Sequence, residues 1–260
     1  MGEYRRFFAV FRGFRGLDRR KNDCYNVREI RKPPSHDFEN GRQERLKMYK
    51  HGKELKLLDE RSIFIGDSVV IGDGVTIYEN NRIEGNTVIG DGCVLLPGNY
   101  IKDTRIGNGV SLNASQTERA EIADGAEVGP YARLRPGAKI GKSARIGNFV
   151  EVKNATVGDG SKVAHLAYVG DADIGSGCNI GCGAIFVNYN GRTKSRTTVG
   201  DNAFIGSNCN IIAPVNIAKN SYVCAGTTVT EDVSEDDFVI GRARQERKPE
   251  RAHKYLKEIY

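Results

Sequence analysis

An aliphatic residue occupies every sixth position over most of the middle of this 260-residue chain. The longest runs that keep this spacing hold seven, six and six residues: Ile65, Ile71, Ile77, Ile83, Ile89, Leu95 and Ile101; Ile122, Val128, Leu134, Ile140, Ile146 and Val152; and Val199, Ile205, Ile211, Ile217, Val223 and Val229. A period of six matches neither the 3.6 residues of a helical turn nor the alternation of a single strand. The pattern therefore predicts a repeat architecture, in which each hexad is one unit of a stack.

The other positions of the hexad predict the shape of that unit. The aliphatic residue is often followed by Gly-Asp or Gly-Asn, which suit the positive φ of a tight corner. The fifth position is small, as at Ala126, Ala132 and Ala138, so large and small residues share one narrow interior. Three hexads then form a triangular coil, and successive coils pair as parallel strands about 4.8 Å apart. The prediction is an all-β solenoid over residues 60–234, whose stability needs many repeats.

The period breaks at two places inside this range. Near residues 113–121 the register is lost, which predicts a looped coil. Between Phe186 and Val199 the spacing is thirteen residues where six would continue the period, so a loop over 187–198 is expected to leave the stack. Loops extruded from solenoids usually line a binding face.

The flanking segments do not follow the period. Residues 1–59 are predicted to form a basic extension, partly disordered, with a short helix near 42–51 that Gly52 closes. Residues 235–260 form a tail in which Ala252, Tyr255, Leu256 and Ile259 have helical spacing after Pro249. The tail is therefore expected to end in a C-terminal helix.

The net charge of +6 is concentrated in these flanks. Residues 1–32 contain ten basic and four acidic residues, and residues 242–260 contain seven and three, so the rest of the chain is weakly acidic. This distribution favours solubilising ends over nucleic-acid binding. The longest early apolar stretch is five residues, too short for membrane insertion or a signal core. Six cysteines without a CxxC pair or metal-like spacing are typical of a reduced cytoplasm.

Candidate chemistry lies at outward positions of the repeats. Of four histidines, only His165 falls in the solenoid, and counting from Val163 gives it an outward place. Histidine suits the removal of a proton from an amine or hydroxyl at neutral pH. Arg135 and Lys153 also take outward places, and such cations suit a phosphate. On periodicity alone, an idle surface histidine and solvated charges are the alternative.

Six segments between residues 127 and 247 resemble the acetyltransferase domain of the bacterial bifunctional N-acetylglucosamine-1-phosphate uridyltransferase / glucosamine-1-phosphate N-acetyltransferase family. In chain order they span residues 130–137, 147–153, 165–172, 187–191, 225–230 and 242–245. The resemblance is dense there and continues in register back to about residue 45. Hexapeptide repeats in general share only the Ile-Gly-Asp skeleton, so these segments indicate this family in particular.

The resemblance implies a left-handed parallel β-helix, acetyl-coenzyme A as co-substrate, no metal, and a homotrimer with its sites between neighbouring chains. Position by position, the general base falls on His165. The ligands of the amino-sugar phosphate fall on Arg135, Lys153, Tyr168, Asn179 and Lys194. The acetyl-coenzyme A contacts fall on Cys182, where many members have alanine, and on Asn188, Tyr189, Ser207, Ala225 and Arg242. Glu151 is expected as a partner of His165 or of the substrate amine, and backbone donors or Asn188 are expected to stabilise the oxyanion.

The reaction implied is acetyl transfer to the amine of glucosamine 1-phosphate in the cytoplasm, which supplies UDP-N-acetylglucosamine for peptidoglycan and cell wall biogenesis. Family members begin with an α/β uridyltransferase domain that carries a Gly-x-Gly-Thr-Arg-Met loop. This chain has no such motif, and the 59 residues before its repeats are too few for a nucleotide-binding sheet. Uridyl transfer, and the magnesium that it uses, are therefore expected to be absent.

Two alternatives are open. An acetyltransferase for a nucleotide-linked amino sugar would differ in its relative rates on the two amines, and a non-catalytic hexapeptide scaffold would not bind coenzyme A. A zinc carbonic anhydrase of the same architecture is excluded, because that enzyme needs three histidines around its metal and the repeats hold one.

Overall fold

The computed structural model describes residues 49–256, which fold as a parallel β-helix. Each coil has three sides, and equivalent sides of successive coils pair in parallel into three sheets, called here faces A, B and C. Along the chain the sides follow one another in the order A, B, C, so three edges separate the faces.

Within the described residues, face A has ten strands, face B eleven and face C ten. Those of face A are Lys50–His51, Val70–Ile71, Val88–Ile89, Arg105–Ile106, Glu121–Ile122, Lys139–Ile140, Thr156–Val157, Ala172–Ile174, Thr197–Val199 and Asn216–Ile217. Those of face B are Lys56–Leu57, Thr76–Ile77, Val94–Leu95, Ser111–Leu112, Glu127–Val128, Arg145–Asn148, Lys162–His165, Asn179–Ile180, Phe204–Ile205, Tyr222–Val223 and Phe238–Val239. Those of face C are Phe64–Ile65, Arg82–Glu84, Tyr100–Lys102, Gln116–Glu118, Arg133–Leu134, Glu151–Lys153, Tyr168–Gly170, Ile185–Val187, Asn210–Ile212 and Thr228–Val229.

The aliphatic residues of the six-residue period form the core. Ile77, Ile146 and Ile205 are fully buried, and so are small fifth-position residues such as Cys93 and Ala126. Burial of one such aliphatic side chain contributes about 1.5–3 kcal/mol, and each one packs between the coils above and below it. The predicted all-β solenoid is confirmed.

The repeats extend beyond the predicted bounds at both ends. Lys50–His51 is already a strand of face A, paired with Val70–Ile71, and Phe238–Val239 is the last strand of face B. The helix predicted near 42–51 is therefore wrong at its C-terminal end, because pairing with the next coil overrides the local helical signal. Residues 42–48, and the predicted disorder before them, lie outside the described residues.

The predicted C-terminal helix is also not found in the described residues. Ala252–Lys254 forms a single 3₁₀ turn, and residues 257–260 lie outside the described range. Tyr255 and Leu256 are 83% and 69% exposed, so no apolar surface within residues 49–256 covers these two side chains. Short helices without such packing are marginal in water.

No helix within residues 49–256 has the length and apolar character needed to cross a bilayer.

The looped coil predicted near 113–121 is wrong, because that coil is shorter than its neighbours. Arg105 pairs with Glu121, sixteen residues later, whereas Glu121 pairs with Lys139, eighteen residues later. Two sides of this coil have five residues, and each is turned by one residue with positive φ, Ala114 at 40° and Arg119 at 46°. Asp103, Asn154 and Asp171, each with a φ of 47°, turn five-residue sides of other coils.

The loop predicted after Phe186 is confirmed. Asp173 pairs with Thr198 on face A, an advance of twenty-five residues, and residues 188–196 leave the stack. The loop closes on itself through an antiparallel bridge between Tyr189 and Lys194. Arg196 then fixes its end, since the guanidinium pairs with both carboxylate oxygens of Asp173 and donates to the carbonyl of Asn154 at 3.0 Å.

The first prediction concerns Thr117, which occupies a core position between Ile101 and Leu134. The side chain is 1% exposed, and its hydroxyl has no hydrogen-bond partner among the described residues. Thr117→Val keeps the shape and removes the unpaired hydroxyl, so we expect the free energy of unfolding to rise by about 1 kcal/mol. Chemical denaturation measures the change.

Thr87→Val is the matched control. Thr87 is equally buried, but its hydroxyl donates to the carbonyl of Glu84 at 2.7 Å and accepts from the amide of Thr104 at 3.3 Å. Valine there should lower the free energy of unfolding by about 1 kcal/mol or more. Equal effects of the two substitutions would contradict the assignment of Thr117 as an unsatisfied group.

Candidate active site

Three cations gather at the edge between faces C and A. Arg135 follows the strand Arg133–Leu134, Lys153 ends the strand Glu151–Lys153, and Lys194 comes from the extruded loop. We call Arg135, Lys153 and Lys194 the cationic cluster. Close contact with Lys153 and the positive charge of Lys153 lower the pKa of Lys194, and the charge of Arg135 lowers that pKa further. The three side chains are thus close enough to repel one another.

Two carboxylates offset part of this charge. Glu151 accepts a hydrogen bond from Arg135 at 2.8 Å, and this contact raises the pKa of the guanidinium. Asp171 lies 3.5 Å from the ammonium of Lys153. Glu151 was expected to contact His165 or a substrate amine. Its partner in the structure is Arg135, and a contact with a substrate amine stays a prediction.

Tyr168 points toward the same edge. Its ring lies over Gly170, where a Cβ would come within 2.5 Å of the phenol oxygen. Glycine at position 170 therefore leaves the space that the ring occupies. The phenol is one of the groups that raise the pKa of Arg135, so it belongs to the surroundings of the cationic cluster.

Asn188 lies beneath this cluster and is buried. Its amide nitrogen donates to the carboxylate of Asp171, which also accepts from Asn154 at 2.6 Å. Because a carboxylate only accepts, this contact turns the amide nitrogen of Asn188 inward and its oxygen away. This contact uses one of the two N–H groups of the amide, so the expectation that Asn188 donates to an oxyanion stays a prediction.

The edge between faces B and C carries a second group of predicted site residues. Its residues stack one per coil, because the backbone amide of the turn residue in each coil donates a hydrogen bond to a backbone carbonyl of the coil before. These bonds run from Leu166 to Asn148 at 3.0 Å, from Gly183 to His165 at 3.4 Å, from Asn208 to Cys182 at 2.8 Å, and from Gly226 to Ser207 at 2.8 Å. We call the stack Asn148, His165, Cys182, Ser207 and Ala225 the corner column. It places the predicted base in line with predicted coenzyme A contacts.

His165 is exposed and is oriented by Asn148. Its Nδ1 lies 2.7 Å from Oδ1 of Asn148, and because an amide oxygen only accepts, Nδ1 is the donor in this contact. In a neutral ring this leaves Nε2 as the acceptor. The strands of these two residues approach closely, since a Cβ at Gly147 would lie 1.9 Å from the carbonyl oxygen of Ala164. The sequence analysis missed Asn148, although its place one coil before His165 in the repeat was the available signal.

The remaining predicted residues divide between the two edges. Arg242 donates to the carbonyl of Ala225 at 2.8 Å and so extends the corner column, whereas Tyr189 is exposed on the extruded loop. Asn179 opens a strand of face B between Lys162 and Phe204. One chain therefore does not gather all these residues into one pocket. It carries the cationic cluster on one edge of face C and the corner column on the other.

The residues between 49 and 256 contain no group of three His, Cys, Asp or Glu side chains arranged to hold a metal ion.

Comparisons with known proteins agree with this architecture. A family model described as the hexapeptide repeat of succinyl-transferase matches residues 196–231. The chain is 46% identical over 189 residues to the bifunctional protein GlmU of Clostridium beijerinckii, which covers 73% of this chain and 42% of that protein. The corresponding values for GlmU of Clostridium novyi are 48% over 189 residues, 73% and 41%. The chain thus spans about two fifths of the length of these relatives.

Among solved structures, the chain also matches LpxA, a UDP-N-acetylglucosamine acyltransferase from Bacteroides fragilis. The match covers 68% of this chain and 69% of LpxA, with 21% sequence identity and a TM-score of 0.49. The two GlmU proteins match this chain along its β-helix, and they confirm the resemblance inferred from the six sequence segments.

The second prediction tests the cationic cluster without any assumption about a reaction. Because Lys153 and Lys194 repel each other, an anion between them should stabilise the fold by binding to it. Inorganic phosphate should therefore raise the midpoint of thermal unfolding, and Lys194→Met should abolish most of that increase.

The matched control is Lys139→Met. Lys139 lies on face A, with an exposed side chain 3.9 Å from Glu121. This variant should keep the phosphate-dependent increase. If Lys139→Met and Lys194→Met lost it equally, phosphate would be acting as a general salt rather than at the cluster.

Proposed function

We propose that this chain, which resembles the GlmU proteins along its β-helix, transfers an acetyl group from acetyl-coenzyme A to the amine of glucosamine 1-phosphate. The observation that carries the proposal is the pairing of a cationic cluster with an oriented histidine on the two edges of face C. The product, N-acetylglucosamine 1-phosphate, would supply UDP-N-acetylglucosamine for the cell wall in the cytoplasm.

The cationic cluster binds the phosphate of the acceptor in this proposal. Arg135 offers a planar fork of donors, while Lys153 and Lys194 act as point charges. The charge of the phosphate relieves the repulsion between the two lysines. Tyr168 and Asn179 contact the sugar, and this contact orients the amine toward the base.

His165 acts as the general base. Its Nε2 takes a proton from the amine as the nitrogen attacks the thioester carbonyl carbon. The carbon–sulfur bond then breaks, and coenzyme A leaves as a thiol after it receives a proton. Asn148 holds the ring in the required tautomer, since its oxygen accepts from Nδ1. Cys182, Ser207, Ala225 and Arg242 line the path of the coenzyme along the corner column, and Asn188 and Tyr189 contact it from the facing wall.

The active form is a homotrimer of left-handed β-helices in this proposal, with each site between two chains. Along one chain, His165 and the cationic cluster lie on opposite edges of face C. A second chain that brings its corner column opposite the cationic cluster closes the gap, and threefold symmetry repeats the contact.

A coupled assay of thiol release tests the reaction directly. The wild-type protein should release coenzyme A in the presence of glucosamine 1-phosphate and acetyl-coenzyme A. Unphosphorylated glucosamine and a nucleotide-linked amino sugar are the comparison acceptors. Equal rates with glucosamine would remove the role of the cationic cluster, and a higher rate with the nucleotide-linked sugar would change the substrate.

The third prediction concerns His165. His165→Ala should lower kcat by about 10²–10⁴-fold, the usual range for removal of a general base. KM should change little, because the proton is transferred only in the transition state. Steady-state kinetics at saturating acetyl-coenzyme A measures both constants. A variant that kept more than roughly a third of the wild-type kcat would exclude His165 as the base.

The fourth prediction tests the shared site. His165→Ala and Lys153→Met subunits should each be nearly inactive alone. After joint unfolding and refolding in equal amounts, about a quarter of the interfaces should carry wild-type residues on both walls. Activity should recover to that fraction, and mixing without refolding is the control. Light scattering must show a trimer, and a fully active monomer would refute the shared site.

A further inference from the structure

Asp171 is a buried carboxylate to which neither the sequence nor the proposed reaction gives a role. It is 7% exposed and follows the face C strand Tyr168–Gly170, at the edge between faces C and A. Its own amide donates to the carbonyl of Lys153 at 3.0 Å, and its carbonyl accepts from the amide of Thr197 at 3.1 Å. The backbone of Asp171 is therefore fixed from the coil before it and from the coil after the loop.

The carboxylate contacts three side chains that lie on two other coils. One oxygen accepts from Asn154 at 2.6 Å. The other accepts from Asn188 and lies 3.5 Å from the ammonium of Lys153. Lys153 and Asn154 belong to the preceding coil and Asn188 to the following one, so Asp171 is the group that joins them.

Asp171 is ionised at neutral pH. Burial alone raises the pKa of this carboxyl, but the hydrogen bonds from Asn154 and Asn188 and the charge of Lys153 outweigh burial and lower the pKa below its ordinary value. An ionised carboxylate accepts hydrogen bonds and donates none. Its partners must therefore present N–H groups to it, which fixes the orientation of the Asn188 amide.

The same charge determines the position of Lys153. The side chain of Lys153 is 20% exposed and faces the like charges of Lys194 and Arg135. Without a carboxylate beside it, repulsion would drive this ammonium out toward solvent. Asp171 holds it inside the cationic cluster, where a phosphate can meet it.

We propose that Asp171 is a positioning residue that links the two substrate sites of the chain, because one carboxylate holds Lys153 for the acceptor phosphate and Asn188 for the acetyl donor. This inference rests on the proposed function. Asp171 itself touches neither substrate. Its effect on the reaction passes through the two residues that it holds.

Asp171→Asn tests the proposal, because asparagine keeps the shape and removes the charge. The new amide would present N–H groups to Asn154, Asn188 and Lys153, which are themselves donors. We expect KM for glucosamine 1-phosphate to rise about tenfold or more, and kcat to fall about tenfold or more, for each folded molecule. Steady-state kinetics with both substrates varied, normalised to the folded fraction, gives these values.

Asp103→Asn is the matched control. Asp103 also follows a face C strand at the same edge, and both residues have a φ of 47°. Its carboxylate accepts from the backbone amide of Asn86 at 2.9 Å, a bond that an asparagine oxygen replaces. This variant should keep both KM values and kcat within about twofold of the wild type.

The possible outcomes separate this inference from the proposed function. A wild-type protein that does not acetylate glucosamine 1-phosphate removes the proposed function. A wild type that is active, together with an Asp171→Asn variant whose KM values and kcat per folded molecule are unchanged, overturns the positioning role. If Asp171→Asn does not fold, Asp171→Glu keeps the charge and displaces it by one methylene. The proposal then requires at least a fivefold loss of kcat in that folded variant, and a wild-type kcat overturns it.

Discussion

Parallel pairing between successive coils is the constraint on which the rest of this molecule depends. Every side of a coil is hydrogen-bonded to the same side of the next coil, so residues at one place in the repeat form columns with a spacing of about 4.8 Å. The buried aliphatic residues form the inner columns and hold this spacing. The outer columns follow from the same register, because the neighbour of an inward-facing residue in a strand faces outward. A functional group on this scaffold is therefore specified by its coil and its edge.

Because the residues of a column are so close, the charge of each side chain acts on the side chains of the coils before and after it. On face A, Glu121 and Lys139 occupy paired positions, and their side chains are exposed, so their attraction is screened by water. At the edge between faces C and A, the sides that turn after Lys153 and Gly170 have five residues each. Their turn residues are Asn154 and Asp171, and the side-chain amide of Asn154 donates a hydrogen bond to the carboxylate of Asp171. Less water reaches this edge than face A. The pairing of Lys153 with Asp171 accordingly has a larger effect than the exposed pairs of face A.

The sequence predicted the fold well because the period alone says which residues face inward. It failed where coils differ in length. The coil from Arg105 to Glu121 has sixteen residues and the coil from Glu121 to Lys139 has eighteen, and in the sequence this difference looked like a loop. In the structure, a left-handed residue at Ala114 or Arg119 turns the corner sooner. The helix near 42–51 failed for a different reason, since the strand Lys50–His51 owes its conformation to the coil that follows.

The candidate site shows the same division. His165 and Lys153 were predicted from outward positions and from the family resemblance, and Lys194 from the resemblance alone. The structure places each of them at an edge of face C. Asn148 and Asp171 were not found, because their importance lies in contacts between coils 17 residues apart. A one-dimensional period of six does not reveal such contacts when one coil has sixteen residues and another twenty-five.

Lys194 itself shows why the longer coil is needed. The next coil has Gly170 at the position paired with Lys153, so the third cation beside Arg135 and Lys153 comes from the extruded loop. The extruded loop provides it at the cost of placing two ammonium groups together, which lowers the pKa of Lys194. In the proposed function, an acceptor phosphate at this edge would lie beside both ammonium groups and relieve their repulsion, so this repulsion would add to the affinity for phosphate.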